Sequence, residues 1–121
     1  MKVQIPDDCG NAPRIGVVVD VVSAWARNDT EFLSNWLADD VTWSIIGQGT
    51  VSGPQALDYF VPDIEAEALI LHSVITHGRL ASCDGIIEGD KRLSFSHAFR
   101  FKTTAKTSKI AEIRTYCIER D

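Results

Sequence analysis

The second half of the chain reads as four successive β-strands separated by turns, and few architectures other than an antiparallel sheet accept that pattern. The strands run from Leu69 to His77, Arg79 to Ile87, Leu93 to Phe101 and Lys109 to Glu119. His77-Gly78 and Gly89-Asp90 are tight turn signals, and Thr103 to Ser108 is a polar loop. Turns this close together predict hairpins, hence an antiparallel meander. The third strand, LSFSHAFRF, is the most informative. Phe95, His97, Phe99 and Phe101 share one face, and Ser94, Ser96, Ala98 and Arg100 the other. Three aromatics on one face predict a strand turned toward an apolar interior. His97 is the single polar group in that row, so it needs a partner or a task.

A meander must cover one of its faces, and the first half supplies amphipathic helices. Residues 1–10 form a polar arm without clear periodicity. Asn11 is a candidate N-cap, Pro13 suits a first helical turn, and Ile15, Val18, Val19, Val22 and Trp25 recur at helical spacing. Valines are poor helix formers, so this helix relies on packing its apolar side. Asp29 is placed to cap a second helix carrying Phe32, Leu33, Trp36 and Leu37. Ala38-Asp39-Asp40 breaks the pattern before a strand from Val41 to Ile46, with Val41, Trp43 and Ile45 on one side. Gly47-Gln48-Gly49 is a turn, with no Lys-Ser/Thr after it to make a phosphate cradle. Ser52 to Gln55 has the S-x-x-Q capping-box spacing and predicts a third helix that stops near Pro62. Asp63 to Glu67 is a linker or a ragged strand start.

These elements predict one α+β domain over residues 1–121. A chain of this size buries about two-thirds of its unfolded surface. The net charge of −5 and the lack of a Lys/Arg run argue against a nucleic-acid partner. No apolar run approaches the ~20 residues of a membrane span, and no apolar signal core opens the chain, which predicts a cytoplasmic protein. Cys9, Cys83 and Cys117 are odd in number and form no C-x-x-C, which argues against a disulfide framework and a thiolate zinc site.

The order of elements and several motifs resemble the nuclear transport factor 2-like superfamily, which includes SnoaL-like cyclases and ketosteroid isomerases. The motifs are Ala24 to Asp29, Trp36 to Trp43 (WLADDVTW), the spacing of Gly47, Gly49 and Gly53, and Phe99-Arg100-Phe101. The resemblance spans about Asn11 to Ile118. It implies a cone-shaped, strongly curved, mainly antiparallel sheet wrapped around the N-terminal helices, with an internal pocket. It also implies a homodimer formed through the sheet. The functional residues of ketosteroid isomerases carry over poorly. An ungapped match through Ala38-Asp39-Asp40 sets Ile45 where their general-base Asp stands, Val21 where a Tyr stands, and His97 where a protonated Asp stands. The chain therefore lacks the isomerase base and one of its acids.

His97 is the candidate acid, base or hydrogen-bond donor, because its unperturbed pKa lies near neutrality. Asp84 is the candidate carboxylate to orient it, since a mid-strand Asp is unfavourable and asks for a reason. The hairpin through Gly89-Asp90 can bring residues 84 and 97 onto neighbouring strands, and the register decides whether they meet. Trp43, Ile45, Phe95 and Phe99 are candidates to line the pocket, as are His72 and Tyr116. His72 and His77, five apart on one strand, point to opposite faces and cannot share a metal. No metal and no cofactor is expected. Two functions follow. One is cofactor-independent acid–base chemistry on an apolar cyclic substrate: isomerisation, cyclisation, dehydration or epoxide opening. The alternative is a non-catalytic domain for binding a hydrophobic ligand or for dimerisation.

Overall fold

A computed structural model describes residues 1–120 as two α-helices and a short 3-10 helix against a seven-stranded mixed sheet. In chain order the elements are β1 (Lys2–Gln4), α1 (Pro13–Ala26), α2 (Thr30–Trp36), β2 (Leu37–Ile45), β3 (Gly49–Ser52), the 3-10 helix (Pro54–Asp58), β4 (Ala66–His77), β5 (Leu80–Gly89), β6 (Arg92–Phe101) and β7 (Ile110–Arg120). The strand order is β1-β4-β5-β6-β7-β2-β3. The meander β4 to β7 is antiparallel throughout, while β1 joins β4 and β2 joins β7 in parallel. The fold is α+β, as the pattern of elements predicts.

The apolar stripe of α1 is Val18, Val21, Val22 and Trp25, spaced three and four apart and packed against β4 and β5. Val19, expected on that stripe, is only half-buried. The helix opens on Ala12 and Pro13 without a side-chain cap, so Asn11 does not serve as one. Asp29 does cap α2: its carboxylate accepts the Phe32 N–H at 3.1 Å. The arm contains the edge strand β1, whose three residues are all exposed and so lack an apolar signal. Asp39 and Asp40 do not break the chain but lie exposed within β2. The segment after Gly47 turns back as β3, because Thr42 to Ile45 present an open edge to pair with. The predicted third helix is reduced to a 3-10 turn, led by Gly53 at φ 85° with no Ser52 cap. The acidic stretch is partly strand, since β4 begins at Ala66.

Two irregularities decide which side chains share a face. In β4 the register jumps between Leu71 and Ser73, so His72 has no partner on β5. Gly85 lies opposite this bulge, and a Cβ there would collide with the Ile70 carbonyl oxygen. Between β6 and β7 the register jumps so that Phe101 pairs with Ile110 while Arg100 pairs with Glu112. Ala111 is thereby skipped, and Ile110 and Ile113 are both buried despite their odd spacing.

Candidate functional site

The inner row of β6 is as its alternation predicts: Phe95, His97, Phe99 and Phe101 are all buried. His97 is 2% exposed and ringed by Trp25, Phe95 and Phe99, at ring-centroid distances of 4.3, 5.1 and 5.5 Å. Its hydrogen-bond partner is Thr115, directly across the β6–β7 ladder, with Nδ1 2.8 Å from the threonine Oγ1. The same Oγ1 accepts a hydrogen bond of 2.9 Å from the indole Nε1 of Trp43.

This short chain of bonds assigns the tautomer. An indole N–H can only donate, so Thr115 Oγ1 accepts from Trp43. Among the described residues the threonine hydroxyl has no partner besides Trp43 and His97, and of these His97 alone can accept its proton. Its proton is therefore directed to Nδ1, and the ring proton of His97 sits on Nε2. That Nε2–H is buried and has no acceptor among the described residues. Burial also pushes the imidazole pKa down to about 3, with no charged neighbour contributing. His97 is thus a neutral donor near pH 7.

Asp84 does not orient it. In the β5–β6 ladder Cys83 pairs with His97, and Asp84 pairs with Ser96. Successive residues of a strand face opposite ways, so Asp84 lies on the outer face of the sheet. There it accepts a hydrogen bond from Ser73, and His72 Nδ1 stands 3.9 Å from its other oxygen. His72 alternates with the buried Leu69 and Leu71 and is exposed on the outer face. Tyr116 pairs with Ser96, one residue out of phase with Thr115, and is 46% exposed on the same outer face. Asp84, His72 and Tyr116 are together on the outside, whereas His97, Trp43, Phe95 and Phe99 are together inside.

The interior beside His97 is filled by its aromatic neighbours. A cleft of about 200 Å³ opens near the Gly89 turn and the segment after the 3-10 helix. Its apolar walls are Ile45, Phe60, Val61, Ile64 and Leu93, with Trp25 (2% exposed) at the deep end. Gln48, Asp63, Lys91 and Glu119 supply its polar edge. Of the candidate lining residues, Ile45 borders the cleft, while Trp43, Phe95 and Phe99 do not. Trp25, Phe60 and Leu93 were not singled out from the sequence. Trp25 was legible only as the end of the apolar stripe of α1 and as part of the Ala24 to Asp29 motif. Its indole Nε1 donates to the Phe60 carbonyl at 2.8 Å. Cys117 also borders the cleft, but burial pushes its thiol up to about 11, so it carries little thiolate. Among the described residues no three His, Cys, Asp or Glu side chains converge as metal ligands would.

No family model and no curated protein matches the sequence. Solved structures do match the fold. An NTF2-like protein of unknown function from Cytophaga hutchinsonii superposes with a TM-score of 0.65 at 20% identity, covering 85% of this chain and 97% of its own. A candidate ketosteroid isomerase from Kribbella flavida gives 0.70 at 12% identity, covering 90% and 80%. An LEH-like epoxide hydrolase from M. tuberculosis gives 0.62 at 17% identity, covering 88% and 83%. This chain has the nuclear transport factor 2-like fold. Identities this low speak to the fold alone. The three positions that the resemblance to ketosteroid isomerases marks out, Val21, Ile45 and His97, are all buried on the helix-covered side of this NTF2-like sheet. No described helix is long and apolar enough to cross a membrane.

Proposed function

We propose that this NTF2-like chain binds a small, mostly apolar molecule in the cleft bounded by Ile45, Phe60, Ile64 and Leu93. The observation that carries the reading is the cleft itself: about 200 Å³ of space with apolar walls and a polar edge, reaching Trp25 of the helix that covers the sheet. Binding fits better than acid–base turnover. His97 has no carboxylate beside it, and a proton carrier with a pKa near 3 holds almost none of its acid form at neutral pH. The test is a chemical-shift titration of labelled protein with small cyclic ketones, epoxides and phenols. Signals of Ile45, Ile64 and Leu93 are expected to move together. Leu93→Trp, which fills the cleft, is expected to weaken binding at least about tenfold. Equal affinity in that variant would remove the cleft from consideration.

One observation favours cofactor-independent chemistry as a second reading. The unpartnered Nε2–H of His97 is a neutral donor of the kind that polarises a carbonyl or epoxide oxygen. Two of the fold's neighbours are named for isomerase and epoxide-hydrolase activities. Turnover that survives intact in His97→Phe would sink that reading. We further propose that two copies pair through the outer sheet face, where Ile75, Leu80, Tyr116 and Ile118 are 45–70% exposed around a centre of Ser82, Ser96 and Ala98. Three cysteines outside any disulfide suit a reducing compartment such as the cytoplasm.

A further inference from the structure

The cleft and His97 share a neighbour, although His97 does not line the cleft. Of the three aromatic rings around His97, Trp25 is the one that also borders the cleft. Its ring stands 4.3 Å from the imidazole, close to perpendicular at 86°. Trp25 therefore touches both the apolar space and a ring whose Nε2–H has no acceptor among the described residues. Among the described residues the indole has one polar tie, from Nε1 to the carbonyl of Phe60. Phe60 follows the 3-10 helix, and Tyr59 to Glu65 have no helical or strand structure. Tyr59 next to it is 69% exposed. The tie thus ends on a part of the cleft wall that no sheet ladder fixes.

We propose that Trp25 is the specificity-determining partition of the cleft, and that it turns aside for ligands bearing an acceptor oxygen. The proposal rests on the cleft as the ligand site. A purely apolar ligand gains nothing by moving the indole, because it would break the Nε1–Phe60 bond and leave Nε2–H unsatisfied. A ligand with a carbonyl or epoxide oxygen replaces the lost bond with one to Nε2–H. Differential interaction of this kind is what a conformational shift requires. A hydroxyl-free hydrocarbon of the same size stays in the outer cleft. An anion is excluded, since a bare charge in this aromatic interior has no cationic partner. The ligand class is therefore neutral, mostly apolar and oxygen-bearing.

The experiment is a titration of ¹⁵N-labelled protein with cyclohexanone, and with cyclohexene as the apolar control. His97 Nε2 and the Leu93 amide are followed in the wild type, Trp25→Phe and Trp25→Leu. Phenylalanine is smaller and has no N–H to tie to Phe60. Cyclohexanone is expected to shift His97 Nε2, with at least about fivefold higher affinity in Trp25→Phe than in the wild type. Cyclohexene is expected to shift Leu93 and leave His97 silent. The wild type offers an independent readout: saturating cyclohexanone should speed hydrogen exchange at Trp25 Nε1 about tenfold. If Leu93 responds but His97 stays silent in every variant and Trp25 exchange is unchanged, the partition is overturned while the cleft stands. If Leu93 responds to neither probe, the cleft and the partition fall together.

Discussion

Replacing Thr115 by valine tests the bond network that assigns the His97 tautomer. The two side chains are nearly equal in volume, so the change removes one hydroxyl and opens no cavity. Thr115 is completely buried, and its oxygen serves two groups, Trp43 Nε1 and His97 Nδ1. Both are then left without a partner in a site that water does not reach. A buried polar group stripped of its hydrogen bond costs about 1–3 kcal/mol, so with two stranded, Thr115→Val is expected to destabilise the fold by roughly 2–6 kcal/mol. That is a large share of the ~5–15 kcal/mol typical of a domain. Urea denaturation with an unchanged m-value reads it directly. A double-mutant cycle separates the two orphans. In a His97→Phe background Thr115→Val strands only Trp43, so its cost should fall by about 1–3 kcal/mol. A loss under ~0.5 kcal/mol in the single variant would refute the reasoning, because nothing buried would then have depended on that oxygen. So would strict additivity in the cycle.

Other expectations can be checked with the same assay. His97 resists protonation when folded, with its pKa lowered to about 3 from 6.5. Above the higher value both states are neutral and the residue adds no pH dependence. Below it the unfolded chain takes a proton that the folded chain refuses, so stability falls with pH at up to about 1.4 kcal/mol per unit until the lower value is reached. His97→Phe should flatten that part of the acid limb, and an unchanged slope would contradict the burial argument. Gly85→Ala should cost about 3 kcal/mol or more by forcing the β4 bulge apart, whereas Gly16→Ala, whose Cβ meets nothing within 4 Å in α1, should stabilise by about 0.5–1 kcal/mol. For the proposed pairing of two copies, Ile118→Lys on the outer face should lower the sedimentation coefficient to that of a monomer with little change in folding; a wild type that already sediments as a monomer, or a variant that stays dimeric, would refute pairing through this face.

The meander was legible because turn pairs and period-two strands are local signals. His77-Gly78 turns with Gly78 at φ 59°, and the aromatic row of β6 faces inward as its spacing requires. The Asp29 cap was legible for the same reason. What local pattern did not carry was the pairing between strands. Asp84 and His97 lie on adjacent strands, and a single residue of register sends them to opposite faces. Thr115 was on the buried side of β7, but its role depends on facing His97 across a ladder whose bulge skips Ala111. His72 faces outward because Leu69 and Leu71 face in, and the bulge that brings Val74 back inside has its sequence mark, Gly85, on a different strand. β1 and β3 are short, mostly exposed edge strands, formed because a neighbour offers an open edge. The cleft is harder still to foresee, since its walls come from α1, β2, β6, β7 and the 59–64 segment.

The sign of one further substitution bears on whether His97 belongs to the fold or to a function. A histidine kept for stability alone should have both ring nitrogens bonded, because an unpaired buried donor subtracts from stability. His97 has one bonded nitrogen and one orphan, within a row of phenylalanines that shows the position accepts an aromatic ring. Phenylalanine at 97 removes the orphan and the desolvation of the imidazole, each a cost of the same order as the one it creates, about 1–3 kcal/mol for a Thr115 hydroxyl left without its acceptor. Trp43 keeps its bond to Thr115 in that variant. The balance at pH 7 is therefore near zero or favourable, and His97→Phe is expected to fold within about 1 kcal/mol of the wild type or to exceed it. A core histidine would instead cost several kcal/mol on replacement. If the variant gains stability while losing the response to cyclohexanone, the imidazole is held at the expense of the fold, and its free N–H is the reason. If it loses about 3 kcal/mol or more, the Thr115 bond alone accounts for the residue, and the donor has no role to explain.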